Sequence, residues 1–279
     1  DIARHCKANG QKAGIYFTPF SDWGRDPEAY INGSSGYKCK DAYLYANGKT
    51  QNMVAGGLAM DPTHPAIKER IRETAERFKR LGYEYIKIDF LTHGCAEADY
   101  YYDPEVQTGM QAYNKGMAYL LEQMEGMYIT MAISPLFPSQ YAHSRRIACD
   151  AWAGIGDTEY TLNSLTYGWW LNQVYTYNDP DHLLLEPVSD GENRARITSG
   201  VITGIFMNGD DLSCISGIQV AKDKARKFLT NKDINAIAKM GKSFRPVSGN
   251  MDGADFLFMH DTGKEVYLAA FNYSGYDLT

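Results

Sequence analysis

The sequence predicts an α/β fold: short parallel strands alternate with helices in a sheet or barrel, and the start of an antiparallel β domain follows. Three observations predict it. Apolar residues recur at helical spacing over 66–81, and after Gly82 comes the alternating stretch Tyr85-Ile86-Lys87-Ile88-Asp89-Phe90. The same helix-then-strand order continues to about residue 207, which is the pattern of parallel strands joined by helical crossovers. After Gly241 the pattern changes to two apolar runs around Asp261-Thr262-Gly263-Lys264, which is hairpin chemistry.

Taken in order, residues 1–10 read as the tail of a helix stopped by Asn9-Gly10. A strand follows over 13–18. Residues 19–57 form a long polar loop, and loops of that length are usually functional. Leu58-Ala59-Met60 is a short extended piece, and Asp61-Pro62-Thr63-His64-Pro65 is helix-start chemistry. In the helix over 66–81, Ile67, Ile71, Ala75, Phe78 and Leu81 share one face. Glu69, Glu73 and Arg77, and Glu76 with Arg80, line the wet side in favourable Glu-before-Arg order.

A second helix is expected over 105–125 and a strand over 128–133. A short strand over 145–150 ends on Asp150. An aromatic helical stretch covers 162–175. The turn 178–181 leads into His182-Leu183-Leu184-Leu185, then a helix over 191–200 and a strand over 201–207. Helical pieces over 221–228 and 231–240 complete a barrel-like domain, 1–241. The hairpin runs are 256–259 and 266–271. A lone hairpin is marginal, so 242–279 reads as the start of a β domain.

Composition narrows the function. The formal charge of −6 comes with no basic stripe, which argues against a nucleic-acid partner. No apolar run approaches the length of a transmembrane helix, so no membrane partner is expected. No signal peptide stands at the start, and the chain opens mid-element. The 21 tyrosines and 4 tryptophans suit sugar binding, in which rings cover pyranose faces, and they suit core packing equally. Cys6, Cys39, Cys95, Cys149 and Cys214 are scattered with no C-x-x-C pair, which argues against a disulfide framework or a zinc site and leaves one bridge open; no metal or cofactor is expected.

The candidate chemistry is carboxylate chemistry. Lys87 and Asp89 are two apart on a strand and share a face. The reading is either a structural ion pair or a nucleophile, Asp89, kept ionised by Lys87. Asp150 ends a second strand, with Arg146 four residues before it. Paired carboxylates at a barrel mouth are the constellation of glycoside hydrolysis, about 5–5.5 Å apart in retaining enzymes. Arg146 is placed to hold a sugar hydroxyl or orient a carboxylate. Asp22-Trp23, on the loop after the first strand, suits an aromatic subsite wall or loop packing. Trp152, Trp169 and Trp170 read as packing, His93 and Cys95 as plain loop, Asp179 and Asp181 as braces of their turn, and Asp210-Asp211 as a helix cap in preference to a pocket rim.

Several motifs, taken in order, resemble the α-galactosidase clan, glycoside hydrolase families 27 and 36. Gly14-Ile15-Tyr16 resembles the third barrel strand, and Lys87-Ile88-Asp89 resembles the nucleophile strand. Arg146-Ile147-Ala148-Cys149-Asp150 resembles the acid/base strand. Asn178-Asp179-Pro180-Asp181 and Leu229-Thr230-Asn231 resemble later segments. The resemblance spans roughly residues 3–240. It implies a (β/α)8 TIM-type barrel, here lacking its first two strands, with a C-terminal β-sandwich domain beginning at the end.

The resemblance also implies roles. Asp89 would be nucleophile and Asp150 acid/base, with Tyr16, Lys87 and Arg146 on sugar hydroxyls. Because Asp150 must begin protonated, Arg146 is expected to reach the substrate rather than pair tightly with Asp150. The expected activity is retaining hydrolysis of terminal α-galactosides in an oligosaccharide or glycoconjugate. Two alternatives are α-N-acetylgalactosaminidase or β-L-arabinopyranosidase activity, and a non-catalytic carbohydrate-binding barrel or inert fragment. Ser134-Pro135-Leu136-Phe137-Pro138 does not resemble the family's patterns for sensing the C2 substituent, so the sugar is left open. The family would place the protein outside the cytoplasm, and an oligomer is compatible with it.

Overall fold

The structure is a computed structural model and describes residues 2–52, 54–213, 218–249, 252–274 and 276. The chain divides into two compact units, Asp1–His143 and Ser144–Thr279.

In the first unit, α1 (Ile2–Ala8) leads to β1 (Gly14–Phe17). The long loop that follows is pinned by short pieces. β2 (Ser21–Asp22) pairs antiparallel with β5 (Leu58–Ala59), and β3 (Tyr45–Ala46) with β4 (Lys49–Thr50). One helical turn, α2 (Cys39–Ala42), lies before β3. Then come α3 (Pro65–Leu81), β6 (Tyr85–Ile88), α4 (Gly109–Gln123) and β7 (Tyr128–Met131).

Local chemistry explains α3. The His64 side chain accepts the Ala66 N–H at 3.2 Å, Pro65 opens the first turn, and Gly82 closes the helix at φ 86°. Ile67, Ile71, Ala75 and Phe78 are buried, as expected. Leu81 differs. It is 55% exposed, because the chain turns at Gly82 before anything covers it. Glu73 pairs with Arg77 at 3.7 Å, but Glu76 pairs with Arg72 rather than Arg80.

β6 is hydrogen-bonded in parallel on both edges. Gly14, Tyr16 and Phe17 of β1 face Tyr85, Lys87 and Ile88, while Tyr128, Thr130 and Met131 of β7 face the same three. Ile86 and Ile88 are fully buried. The register depends on Gly14, where a Cβ would lie 2.6 Å from the Tyr85 ring.

The second unit holds β8 (Ser144–Arg146), α5 (Ile155–Gly168), β9 (Tyr177–Asp179), α6 (Asp190–Thr203), α7 (Ile218–Phe228) and α8 (Lys232–Lys239). β8 and β9 pair in parallel. The last sheet is β10 (Arg245–Pro246), β11 (Leu257–Asp261) and β12 (Val266–Ala270), antiparallel throughout. The expected hairpin is therefore present with a third strand. Its Phe258 and Phe271 share one core with Leu162 and Leu165 of α5, Ile202 of α6, and Phe244.

The expected strand over 201–207 is corrected. Val201, Ile202 and Thr203 are the last residues of α6, which ends at Gly204 with φ 142°. Their β-branched run looks like a strand, but Ile197, Val201 and Ile202 bury at helical spacing. Asn178 and Asp179, expected in the turn 178–181, instead end a strand over Tyr177–Asp179, and Leu183 beyond them makes one parallel bridge with Asn208. Cys6, Cys39, Cys95 and Cys149 are free thiols, and Cys214 lies outside the described residues.

The hairpin register generates a prediction. Phe258 is fully buried, whereas Leu268 is 65% exposed on the opposite face. Phe258→Ala should cost about 3–5 kcal/mol, and Leu268→Ala less than about 0.5 kcal/mol. Urea unfolding midpoints measure both; equal shifts would contradict the register.

Candidate active site

In the first unit the site is built on the end of β6. The Asp89 N–H donates to the Phe17 carbonyl at 3.0 Å, so the ladder with β1 continues to Asp89 itself. Asp89 is buried, 6% exposed, and its Oδ1 accepts the Phe90 N–H at 2.7 Å. Phe90 takes left-handed backbone, φ 55°. A residue of this kind held there costs of order 1–3 kcal/mol, and such strain concentrates at functional sites.

Phe90 is held by an aromatic cluster. Its ring centroid is 4.6 Å from Trp23 and 5.9 Å from His93, and Trp23 and His93 are 5.8 Å apart. His93 Nδ1 lies 2.9 Å from the Phe90 carbonyl. A carbonyl only accepts, so Nδ1 carries the proton and donates. Burial pushes the His93 pKa down, which keeps the ring neutral. Gly57 is required beside it, since a Cβ there would lie 2.9 Å from both His93 Nε2 and Trp23. His93, expected to be plain loop, thus fastens Trp23 and Phe90 next to Asp89. A histidine four residues past the strand-end Asp was visible in the sequence; its contact with residue 23 was not.

The expected Lys87–Asp89 ion pair is corrected. Among the described residues no ion pair within 4.0 Å involves Lys87. Residues two apart on a strand are separated by ~6.6 Å, and the Lys87 side chain does not close that gap. Tyr16 lies opposite Lys87 in the register and is 48% exposed. Asp22 acts first as a loop brace. Its oxygens accept Gly24 and Arg25 N–H groups, both at 3.1 Å, and the Tyr43 hydroxyl at 2.5 Å. Burial and then the Asp22 carboxylate push the Tyr43 hydroxyl well above its ordinary pKa. Trp23 is 41% exposed.

In the second unit, Asp150 does not end a strand. β8 stops at Arg146, and the chain over 148–150 is irregular. The Asp150 side chain is 69% exposed, whereas Arg146 and Asp181 are 6% and 4% exposed. Arg146 Nη2 donates to Asp150 at 2.6 Å, Nη1 to Asp181 at 3.3 Å, and Nε to the Ala148 carbonyl at 3.0 Å. The expectation that Arg146 avoids Asp150 is therefore corrected. An i,i+4 spacing across the irregular segment brings the two together, and a buried guanidinium takes the carboxylates within reach.

Burial works against the charge on Arg146, but Asp150 and Asp181 outweigh it and hold its pKa above the ordinary value. Burial likewise opposes the charge on Asp181. The Ala151 amide, which donates at 2.9 Å, and Arg146 outweigh it, so the carboxyl stays below its usual range. Asp179 accepts the Asp181 N–H at 2.8 Å, bracing the turn as expected. Arg196, which the sequence did not single out, is buried. It donates to the carbonyls of Pro180, Asp181 and His182 at 2.9, 3.3 and 2.7 Å. Asp210 latches the amides of Leu185 and Glu186 rather than capping a helix. Trp152 and Trp170 are exposed, not packed, and Trp152 meets His182 edge-on at 5.1 Å; Trp169 packs as expected.

No family model matches the chain. The chain shares its fold with solved glycosidases of the α-galactosidase clan. An α-galactosidase from Thermus thermophilus, in complex with p-nitrophenyl α-D-galactopyranoside, matches with TM-score 0.62 and 20% identity over 83% of this chain and 50% of that one. A family 27 β-L-arabinopyranosidase from Geobacillus stearothermophilus matches with TM-score 0.66 and 13% identity over 96% and 62%. An isomalto-dextranase from Arthrobacter globiformis T6, complexed with panose, matches with TM-score 0.58 and 17% identity over 92% and 48%. The chain thus spans about half to three-fifths of the length of these structures.

The Arg146–Asp181 pair makes a prediction. Asp181→Asn leaves a buried guanidinium without its buried counter-ion and should cost about 3–5 kcal/mol. Because the folded pKa of Asp181 is depressed, its contribution is present above the ordinary value of 3.8 and lost as pH falls through the lowered value. Urea unfolding between pH 7 and pH 2.5 should show that acid loss in wild type and a smaller one in the variant. Identical slopes would contradict it.

Proposed function

We propose that the chain is the catalytic part of a retaining glycoside hydrolase acting on terminal α-galactosyl residues of oligosaccharides. On this reading 1–241 belong to a (β/α)8 barrel, and 242–279 begin a C-terminal β-sandwich. The observation that carries it is the buried Asp89 carboxylate at the C-terminal end of a parallel strand, followed by Phe90, against which the exposed Trp23 packs. Strand C-termini are where α/β barrels place their chemistry, and the shared fold with α-galactosidases supports the substrate class.

In the first step an Asp89 oxygen bonds to the anomeric carbon as the bond to the leaving oxygen breaks. Asp150 gives that oxygen its proton. In the second step water attacks the same carbon, its proton passes to Asp150, and Asp89 is released. Tyr16 and Lys87 bind sugar hydroxyls. Arg146 stabilises the Asp150 carboxylate formed after the first step. Asp181 keeps Arg146 in place and shares its charge, so Asp150 can take up a proton without leaving the guanidinium unpaired.

A second reading, β-L-arabinopyranosidase action by the same steps, is favoured by the match over 96% of the chain to an enzyme of that activity. The test uses full-length protein with p-nitrophenyl α-D-galactopyranoside and the β-L-arabinopyranoside. Asp89→Asn should lower kcat by about a thousandfold or more. Asp150→Asn should slow the second step, and azide should restore its turnover as glycosyl azide. Activity retained in Asp89→Asn would sink the assignment. The better substrate decides between the sugars.

A further inference from the structure

A cavity of about 350 Å³ lies beside Trp23 in the first unit. That volume sits at the low end of ligand pockets, ~300–1,000 Å³. Trp23 and Tyr30 stand on its wall, 41% and 67% exposed. Rings that flank a hollow instead of filling it present apolar faces to whatever enters, and a pyranose offers matching C–H faces.

The polar lining is complementary to hydroxyl groups. Arg70, on α3, reaches the cavity and bonds only to neutral acceptors: the Thr18 carbonyl at 3.0 Å, and the Ser21 carbonyl and Met60 Sδ at 3.5 Å. Its guanidinium also stacks on Phe17 at 5.4 Å. Among the described residues no carboxylate lies within 4.0 Å of it. Five N–H donors in a fixed fork exceed what those contacts use. Asp22 and Asn32 share the lining. Asp22 Oδ1 accepts one bond, from Gly24, and has a second lone pair. An anionic ligand would face Asp22 and a cationic one Arg70, whereas a neutral polyol can donate to the first and accept from the second.

We propose that this cavity is a subsite for a neutral pyranose, the sugar next along the substrate from the one cleaved at Asp89. Trp23 and Tyr30 cover its faces, and Arg70 and Asn32 hydrogen-bond its hydroxyls. The identity of the sugar chain rests on the glycosidase reading. Trp23, on the cavity wall, also packs its ring against Phe90, the residue after Asp89.

The test titrates stachyose and D-galactose into full-length protein carrying Asp89→Asn, read by tryptophan fluorescence and calorimetry. Adding Tyr30→Ala should weaken stachyose binding at least about fivefold and leave D-galactose binding unchanged. Tyr30→Trp should preserve both. Tyr30 is exposed, and an unchanged melting temperature separates lost binding from lost folding. Unchanged stachyose affinity in Tyr30→Ala, or an equal loss for both ligands, overturns the subsite. If wild type cleaves neither stachyose nor p-nitrophenyl α-D-galactopyranoside, the glycosidase reading fails. Stachyose titrated into wild type then still decides the cavity, and absence of binding overturns it.

Discussion

Burial of Ile86 and Ile88 on one face of β6 determines where Asp89 can be. Each fully buried side chain of that size contributes about 1.5–3 kcal/mol, and both are fully buried. Hydrogen bonding to β1 and β7 on either edge removes the freedom to shift. A slip by one residue would exchange the two faces and put Lys87 and Asp89 where the isoleucines pack, a change no core tolerates cheaply. Asp89 therefore lies at a defined height, and the Phe17 carbonyl and Phe90 amide fix its backbone and carboxylate. The aromatic cluster of Trp23, Phe90 and His93 follows from that placement.

The second unit solves a different problem, holding a charge in a buried place. Arg146 is shared between an exposed aspartate and a buried one. The buried pair alone is weak evidence for stability, since desolvation offsets much of the attraction. Its use is geometric. Asp181 is bound through its backbone by Asp179 and through its side chain by the Ala151 amide, and Arg196 grips the surrounding carbonyls. The guanidinium is thereby aimed at Asp150, whose own chain segment has no regular structure.

How much of this was legible in the sequence follows the range of the forces involved. The boundaries of α3 and β6 were readable, because His64, Pro65, Gly82 and the isoleucine alternation act within a few residues. The tail of α6 was not, because a β-branched run is ambiguous and the packing that decides it comes from residues far along the chain. Asp89 and Asp150 could be singled out by type and position. What they touch could not. The Arg146–Asp150 contact and the His93–Trp23 contact are set by loops whose path carries no periodicity. Residue type alone does not say which side of a segment faces water, and Trp152 and Trp170 lie on the wet side.

The central claim is that Asp89 is the atom source of a covalent glycosyl intermediate. It is tested most directly by treating the full-length protein with a slow fluorinated galactosyl substrate that accumulates that intermediate, followed by peptide mass mapping. The account predicts one added glycosyl group on the peptide containing Asp89. A glycosyl group on a different carboxylate, or turnover with inverted anomeric configuration and no adduct, would contradict it.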